Sequence, residues 1–401
     1  MRIVDVAEFY SKRGGGVRTY IDQKIEASRQ EGCETIVIAP GEEDLFEPRA
    51  GGGVFWVKSP RLMLDSRYYA FNRAQAVHEL INDIAPDVVE GSSPWKGGRI
   101  VGEWQGPAVK SFFIHQDPVA VYPHTFLEGW LRAERIDKLF TLFWRYMRSL
   151  IERFDTSIVS GEWLADRFEA FGVRRPHAVP FGVDKQAFSP DRRDESLRRQ
   201  MLAQCGVTAP DAKLLVAVSR HHPEKRLGMV MKGFREASQR RPMGLFLIGD
   251  GPFRGFVERQ ARRTPGVHVA GLVTDRHLLS RYLASGDAFL HGSSAETYGL
   301  VVAEAMCSGL PLIVPAKGGA GELAGPDYAE LFRPGDAGGC AEAIGRALAR
   351  DWSRMSEASY AASRHRIGLP KDHFKALFAH YDSLRAAARV KEIAPQHRAV
   401  A

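Results

Sequence analysis

The feature that most constrains the fold is a rhythm that both halves of this 401-residue chain repeat. A short apolar run is followed by a glycine-rich or small polar loop, and then by an amphipathic helical pattern. Apolar runs that alternate with helices predict parallel strands, buried on both faces of a sheet. Each half is long enough for its own core. The predicted fold class is therefore α/β, with two doubly wound, Rossmann-like domains.

The predicted strands are Ile3–Val6, Thr35–Ala39, Val54–Val57, Asp87–Glu90, Val109–His115, Thr156–Val159, His177–Pro180, Leu214–Ser219, Gly244–Ile248, Val267–Ala270, Asp287–His291, Leu312–Val314 and Leu331–Phe332. The predicted helices include Tyr20–Gln30, Ala74–Ile84, Glu162–Phe171, Leu227–Gln239, Phe253–Arg262, His277–Ala284, Tyr298–Cys307 and Gly339–Ala349. A stretch rich in charge and proline follows the strand at 177–180, so we place one domain at 1–184 and a second at 185–370. We expect residues 371–401 to form a helix that returns to the first domain, followed by a frayed tail.

Charge and composition narrow the class of protein. Residues 1–184 carry a net charge of −3 and residues 185–401 a net charge of +10. The chain has no nucleic-acid-binding motif, so the basic second half favours a small phosphorylated ligand. It has no apolar run of the ~20 residues that span a bilayer, and no signal peptide is indicated. The four cysteines are far apart in the sequence, which favours a reducing compartment and predicts a cytoplasmic protein.

Two glutamates eight positions apart give the strongest functional signal. Glu296 follows a predicted strand and a loop of small polar residues, and Glu304 lies inside the next predicted helix. If that helix begins near residue 297 or 298, its free N–H groups face the loop of Glu296; they belong to Thr297, Tyr298, Gly299 and Leu300. Amides that bind phosphate beside a carboxylate that binds hydroxyls suit a phosphorylated sugar. The alternative is an ordinary helix start with a solvated glutamate.

In each half of the chain, the loop after the first strand is a further candidate for ligand binding. Arg220 and Lys225 lie after the strand Leu214–Ser219, where a fork of N–H donors and a point charge can neutralise a diphosphate. In the first half, three glycines (Gly14, Gly15 and Gly16) follow the first strand, and backbone amides there can approach a ligand closely. A solvated basic loop and a flexible turn are the respective alternatives.

The strand Val109–His115 ends in an imidazole, with a carboxylate two residues beyond it. His115 and Asp117 would lie on the cleft side of the first sheet, although a lone histidine at a strand end is more often structural. The histidines show no metal-ligand spacing and the chain has no Asp-x-Asp motif, so we expect no metal and no bound cofactor.

In order and spacing, these motifs resemble the retaining glycosyltransferases of family 4, which have the GT-B fold. The resemblance covers most of the chain. It includes the glycine loop, His115, Arg220 with Lys225, the pair of glutamates, and three further motifs: Val179–Asp184 with Phe188, Gly249–Pro252, and Gly318-Gly319 followed by Glu322. It implies two domains that face a central cleft and a nucleotide-diphosphate sugar bound to the second domain.

The resemblance also implies roles for the residues. Glu304 would hold the ribose hydroxyls and Glu296 those of the donor sugar. Arg220 and Lys225 would neutralise the leaving diphosphate, aided by amides around Gly15 and Gly16 and by those of residues 298–300. His115 would lie against the donor sugar. Transfer would retain the anomeric configuration without a metal, through charge stabilisation and positioning.

The donor and the acceptor are predicted less directly. His291-Gly292 stands where the family commonly has a proline, and Thr297-Tyr298 replaces the usual Gly/Pro-Phe, so the identity of the donor sugar is open. Of the two nucleotides, we expect a UDP-sugar rather than a GDP-sugar. Residues 90–94, 115–122 and 126–153 resemble the lipid-glycosylating branch that includes plant sulfoquinovosyldiacylglycerol synthase. Aromatic and basic residues are mixed in the last of these segments, which suits a membrane interface. A core helix with cations at its surface is the alternative.

We therefore expect a cytoplasmic glycosyltransferase that acts on diacylglycerol or a glycolipid precursor, with peripheral association at the inner membrane face as an open alternative. Assembly of a cell-surface polysaccharide is the second hypothesis. A nucleotide-sugar epimerase of the same fold is a third, and it would need further acid and base groups near His115. A module that only binds nucleotide sugars is disfavoured, because all the cations and acids of the site are present.

Overall fold

A computed structural model describes residues 1–12, 16–63, 68–127 and 130–393, with side chains to residue 390. Its helices are α1 (Gly16–Gln30), α2 (Ala74–Ile84), α3 (Lys96–Glu103), α4 (Thr125–Leu127), α5 (Ala133–Leu139), α6 (Thr141–Ile151), α7 (Glu162–Ala170), α8 (Glu195–Gln204), α9 (Leu227–Ala237), α10 (Arg254–Ala261), α11 (Arg276–Ala284), α12 (Leu300–Cys307), α13 (Gly318–Leu323), α14 (Ala337–Ala349), α15 (Trp352–Arg366) and α16 (Pro370–Ile393). None of the helices in these described ranges is long and apolar enough to cross a membrane.

Contacts divide the chain into two compact units. The first unit comprises Met1–His115, Thr141–Val179 and the C-terminal residues from Lys371. The second unit comprises Gln116–Phe140 and Pro180–Pro370. Residues 116–140, which precede residue 184 in sequence, therefore belong to the second unit.

The first unit is built on an eight-stranded sheet. Its strands are β1 (Arg2–Val6), β2 (Glu34–Gly41), β3 (Leu45–Arg49), β4 (Gly52–Lys58), β5 (Val88–Gly91), β6 (Val109–Ile114), β7 (Thr156–Val159) and β8 (His177–Ala178). They lie in the order β3-β4-β2-β1-β5-β6-β7-β8, and all pairs are parallel except β3 with β4. The strand order reverses between β1 and β5: β2 to β4 lie on one side of β1, and β5 to β8 lie on its other side. Open α/β sheets bind ligands at such a reversal of strand order.

The second unit contains a parallel sheet of six strands. They are β9 (Lys213–Val218), β10 (Met243–Ile248), β11 (Val267–Gly271), β12 (Ala288–Leu290), β13 (Leu312–Pro315) and β14 (Ala329–Phe332), in the order β11-β10-β9-β12-β13-β14. Leu214 and Val216 of β9 enter the core on one face, whereas Leu215 and Ala217 enter the core on the other. Burial on both faces explains the continuous apolar runs. The strand order of this sheet reverses between β9 and β12.

These elements confirm the predicted α/β class and most predicted strands. The strand β3 was not predicted: it contains Pro48, and it pairs only with β4 at the edge of the sheet. An edge strand tolerates a proline, because one side of its backbone needs no partner. The predicted tail falls largely on residues 394–401, which lie outside the described residues.

A buried charge network ties the C-terminal helix to the first sheet. The ammonium of Lys24, on α1, lies 3.2 Å from Asp5 Oδ2 and 2.7 Å from Glu90 Oε1, and all three side chains are fully buried. Tyr381 of α16 donates a hydrogen bond to Glu90. Burial raises the pKa of Glu90 to about 7, although Lys24 opposes the shift. Since β1 and β5 place Asp5 opposite Glu90, the two carboxylates require the lysine between them.

We expect Lys24→Ala to destabilise the protein strongly, because it leaves Asp5 and Glu90 buried without a cation. The free energy of unfolding should fall by about 3–5 kcal/mol. Chemical denaturation, followed by circular dichroism, measures it. Lys96→Ala, which removes an exposed lysine in the same unit, is the matched control, and equal stabilities for the two variants would contradict the prediction.

Candidate active site

Glu296 lies in the loop between β12 and α12, at the carboxyl edge of the second sheet. The helix begins at Leu300, so the predicted start near residue 297 or 298 was wrong by two or three residues. The reason is Gly299, whose φ of 84° places it in the left-handed region and makes it the N-cap. The free amides inside the helix therefore belong to Leu300 and Val301, because those of Val302 and Ala303 donate to the carbonyl of Gly299.

The side chains of this loop differ in exposure. Tyr298 is only 6% exposed, and its ring packs edge-on against Phe181 at 5.7 Å. Burial raises the pKa of the Tyr298 hydroxyl. Leu300 is 42% exposed. Tyr298 therefore serves the core with its ring, and only its backbone is available for the donor role that the resemblance implies.

Lys225 reaches Glu296 from the neighbouring loop. Its Nζ lies 2.6 Å from Glu296 Oε1, and His291 Nε2 lies 3.3 Å from the same oxygen. Burial raises the pKa of Glu296, but the charge of Lys225 and the interaction with His291 outweigh it, so the net shift is downward. The structure thus joins the loops after β9 and β12 through a carboxylate that stays ionised.

Glycine makes this approach possible. A Cβ on Gly292 would lie 2.7 Å from the carbonyl oxygen of Lys225. A Cβ on Gly319 would lie 2.4–2.6 Å from the backbone of Tyr298, and the Gly319 amide donates a 2.7 Å hydrogen bond to the carbonyl of Glu296. Gly319, at the start of α13, therefore packs against the loop that carries Glu296 and holds it through a backbone hydrogen bond.

Arg220 lies on the same loop as Lys225 and is exposed. Both cations lie close enough to His222 to lower the pKa of that imidazole, after burial, which is the largest cause. The loop is anchored by the Gly249–Pro252 turn: the His221 amide donates to the carbonyl of Asp250 at 2.9 Å. The Gly249–Pro252 turn thus positions the basic loop.

Glu304 lies in the second turn of α12 and is 3% exposed. Its Oε1 accepts a hydrogen bond of 2.8 Å from Arg276, whose guanidinium also lies 4.7 Å from the Phe188 ring centroid. Burial raises the pKa of Glu304, and Arg276 opposes that shift. The side chain of Arg276 is 56% exposed and can move away from the carboxylate. Sequence analysis did not single out Arg276; its only signal is Asp275, which caps α11.

Of the predicted site residues in the first unit, the structure describes Gly16 and His115. Gly16 begins α1. His115 follows β6, and its ring stacks on Phe113 with a centroid distance of 4.5 Å. Burial lowers the pKa of His115 to about 4, so its imidazole is neutral at pH 7. Gly15 lies outside the described residues. The second unit therefore brings Lys225, Glu296 and Glu304 to one edge of its sheet.

Comparison with known proteins agrees with this arrangement. A family model described as Glycosyltransferase Family 4 matches residues 14–187, and one described as Glycosyl transferases group 1 matches residues 212–350. A GDP-mannose-dependent alpha-mannosyltransferase of Mycobacterium tuberculosis (strain CDC 1551 / Oshkosh) is 30% identical over 343 residues, which cover 83% of this chain and 84% of that protein. The chain belongs to glycosyltransferase family 4.

The name of one further relative of this family 4 glycosyltransferase refers to a phosphatidylinositol lipid. A GDP-mannose-dependent alpha-(1-6)-phosphatidylinositol dimannoside mannosyltransferase of M. tuberculosis (strain ATCC 25177 / H37Ra) is 27% identical over 91% of both chains. Sulfoquinovosyl transferase SQD2 of Arabidopsis thaliana is 28% identical over 65% of this chain and 50% of its own length. The sucrose-phosphate synthase of Thermosynechococcus elongatus matches with a TM-score of 0.73 at 18% identity, covering 96% of this chain and all of that one, and confirms the GT-B fold.

We expect Glu304→Ala to weaken the binding of a nucleotide to this glycosyltransferase, because the variant lacks the buried carboxylate that is predicted to hold the ribose. Hydrogen bonds to a charged group support an expected loss of about 10-fold to 100-fold in affinity. Calorimetric titration with UDP and with GDP measures it. Glu342→Ala removes an exposed glutamate from α14 and serves as the control; equal affinities in the two variants would contradict the assignment.

Proposed function

We propose that this enzyme transfers a hexosyl residue, with retention of configuration, from a nucleotide-diphosphate sugar to a lipid-linked acceptor. The observation that carries the proposal is the contact of Lys225 with Glu296 at the reversal of the second sheet, with Glu304 on the following helix. In this proposal Lys225 supplies the cation that a diphosphate needs, and the two carboxylates accept hydrogen bonds from hydroxyls. The donor sugar binds Glu296, and the ribose displaces Arg276 from Glu304.

The chemistry follows from these groups. As the bond between the anomeric carbon and the diphosphate oxygen breaks, negative charge grows on the diphosphate. Lys225 and Arg220 stabilise that charge, together with the amides at the start of α12. A fixed cation lowers the barrier most when it is already in place, and the contact with Glu296 holds Lys225 there. His115, which is neutral, can accept or donate one hydrogen bond to a sugar hydroxyl.

The candidate donors differ in their nucleotide, which is either UDP or GDP. The sequence favoured a UDP-sugar, and that remains a prediction. Two mycobacterial relatives that align with most of the chain are GDP-mannose-dependent by name. We therefore propose GDP-mannose as the first donor to test and UDP-glucose as the second. No group of three or more potential metal-ligating side chains occurs in the described residues, and metal-independent transfer is part of the proposal.

A surface in the second unit supports a lipid acceptor. We call it the aromatic–basic segment: Tyr122, Phe126, Trp130 and Leu139 are 48–91% exposed, and Arg132, Arg135 and Lys138 are exposed among them. The acidic Asp137 is engaged by His124 at 2.8 Å. By contrast, Trp144 and Met147 of α6 are buried in the first unit. The two interpretations of residues 126–153 therefore apply to different parts of the segment. The aromatic–basic segment is exposed, as a membrane interface would be, whereas Trp144 and Met147 of α6 belong to a core.

The epimerase hypothesis gains no support from Asp117, its second candidate acid. That carboxylate is fully buried, and its Oδ1 accepts hydrogen bonds from the amides of Val119 and Ala120 at 2.8 and 3.1 Å. It therefore caps the helical turns that begin there. Polysaccharide assembly remains the alternative use of the same donor site.

We expect the double variant Arg220→Ala, Lys225→Ala to lose transfer, because neither cation remains to stabilise the leaving diphosphate. The assay incubates the enzyme with GDP-mannose or UDP-glucose and a membrane extract, and identifies the products by mass spectrometry. The control is Lys232→Ala, Arg235→Ala, which removes two exposed cations of α9. Wild-type turnover in the first double variant would overturn the assignment of the site.

We also expect the protein to co-sediment with liposomes that contain anionic phospholipid. Phe126→Ala with Trp130→Ala should reduce the bound fraction, because these exposed rings supply the apolar part of the contact. Leu272→Ala removes another exposed apolar side chain of the second unit, 66% exposed, and should leave binding unchanged. No binding of the wild-type protein would favour a soluble acceptor.

A further inference from the structure

A second carboxylate is built into the first unit, at the reversal of its own sheet. Glu8 follows β1, and Ser93 follows β5, the neighbouring strand across the reversal. Open α/β sheets bind ligands outside the carboxyl ends of the strands at this place. Neither residue was assigned a role from the sequence, and the donor site in the second unit does not include them.

The two oxygens of Glu8 have different surroundings. Oε2 accepts hydrogen bonds from the Ser93 hydroxyl at 2.7 Å and from the Gly97 amide at 3.0 Å. Gly97 permits this approach, since a Cβ there would lie 3.1 Å from the carbonyl oxygen of Val6. Oε1 accepts no hydrogen bond from residues 1–12, 16–63, 68–127 or 130–390, and it retains contact with solvent. One oxygen is held and the other is open.

Such a carboxylate needs a further donor. Glu8 is only 5% exposed, and within the described ranges no lysine, arginine or histidine forms an ion pair with it. A buried charge without a cation is costly unless hydrogen bonds compensate for lost hydration. The open Oε1 is therefore a fixed acceptor for a hydroxyl group, held in place before any ligand arrives.

An exposed aromatic residue, Trp95, follows Ser93 by two positions in the chain. The Ser93 hydroxyl that binds Glu8 also accepts a hydrogen bond of 3.0 Å from the Trp95 amide. The Trp95 side chain is 42% exposed, and its ring centroid lies 6.2 Å from that of Phe143. Tyr146 fixes the same turn by donating to the carbonyl of Pro94 at 2.5 Å. An aromatic face can pack against the C–H face of a polyol ring, and a carboxylate can accept hydrogen bonds from its hydroxyls.

We propose that Glu8, Ser93 and Trp95 form the acceptor subsite, and that the acceptor presents a polyol ring, either a pyranose or a cyclitol. The inference rests on the proposed function and narrows its acceptor. Diacylglycerol offers one hydroxyl and no ring, so it leaves the indole face of Trp95 unused. A lipid whose headgroup is a sugar or an inositol uses both groups.

The test compares acceptors and variants in the full-length enzyme, with the donor that the product analysis identifies. The acceptors are vesicles with phosphatidylinositol, vesicles with diacylglycerol, free myo-inositol and methyl α-mannopyranoside. For Glu8→Gln and for Trp95→Ala, we expect KM for the polyol acceptors to rise about tenfold or more, whereas KM for the donor changes less than twofold. Glu103→Gln, at an exposed carboxylate of α3, is the matched control.

Each outcome decides the matter. Equal acceptor KM values for Glu8→Gln and Glu103→Gln overturn the proposal, as does transfer to diacylglycerol alone or to none of the polyols. Parallel losses towards donor and acceptor would also overturn it, because they would indicate a structural role. If Glu8→Gln does not fold, Trp95→Ala decides, since its ring is exposed. Absence of turnover with every nucleotide sugar would instead contradict the proposed function itself.

Discussion

The contact between Lys225 and Glu296 is the interaction on which the second unit's site depends. The two residues are 71 positions apart in sequence, and the parallel pairing of β9 with β12 brings their loops together. The ammonium keeps the glutamate ionised in a buried place, and the glutamate holds the ammonium in one position. Without Lys225, the buried charge of Glu296 would be costly, and without Glu296 the side chain of Lys225 would have no fixed position.

Backbone proximity, rather than side-chain bulk, sets the geometry around that contact. Gly292 allows the end of β12 to approach the carbonyl of Lys225, and Gly319 allows α13 to approach Tyr298. Gly299 adopts the left-handed conformation that starts α12. A side chain at any of these positions would shift a loop by a few tenths of an ångström or more. The candidate site is thus positioned by the backbone conformation and close approach of three glycines.

The two units use the same topological rule for different tasks. In each sheet, a carboxylate follows a strand at the point where the strand order reverses. In the second sheet that carboxylate is paired with a cation, which suits a phosphorylated donor. In the first sheet Glu8 is held by a hydroxyl and an amide and has no paired cation among the described residues, which suits an uncharged polyol. The buried Lys24 network lies beneath the same two strands and attaches α16 to them.

The sequence by itself determined the α/β class, nearly all strands, and the motif glutamates with their basic partners, because period and glycine placement are local properties of the chain. Only the tertiary structure decided which groups meet. Arg276 contacts Glu304 and Ser93 contacts Glu8 across separations of 28 and 85 residues, and no local pattern encodes such pairs. The start of α12 was likewise decided by one glycine's φ, and the edge strand β3 by its single partner. Contacts between distant segments depend on the packing of whole sheets, which the amino-acid pattern of a loop does not contain.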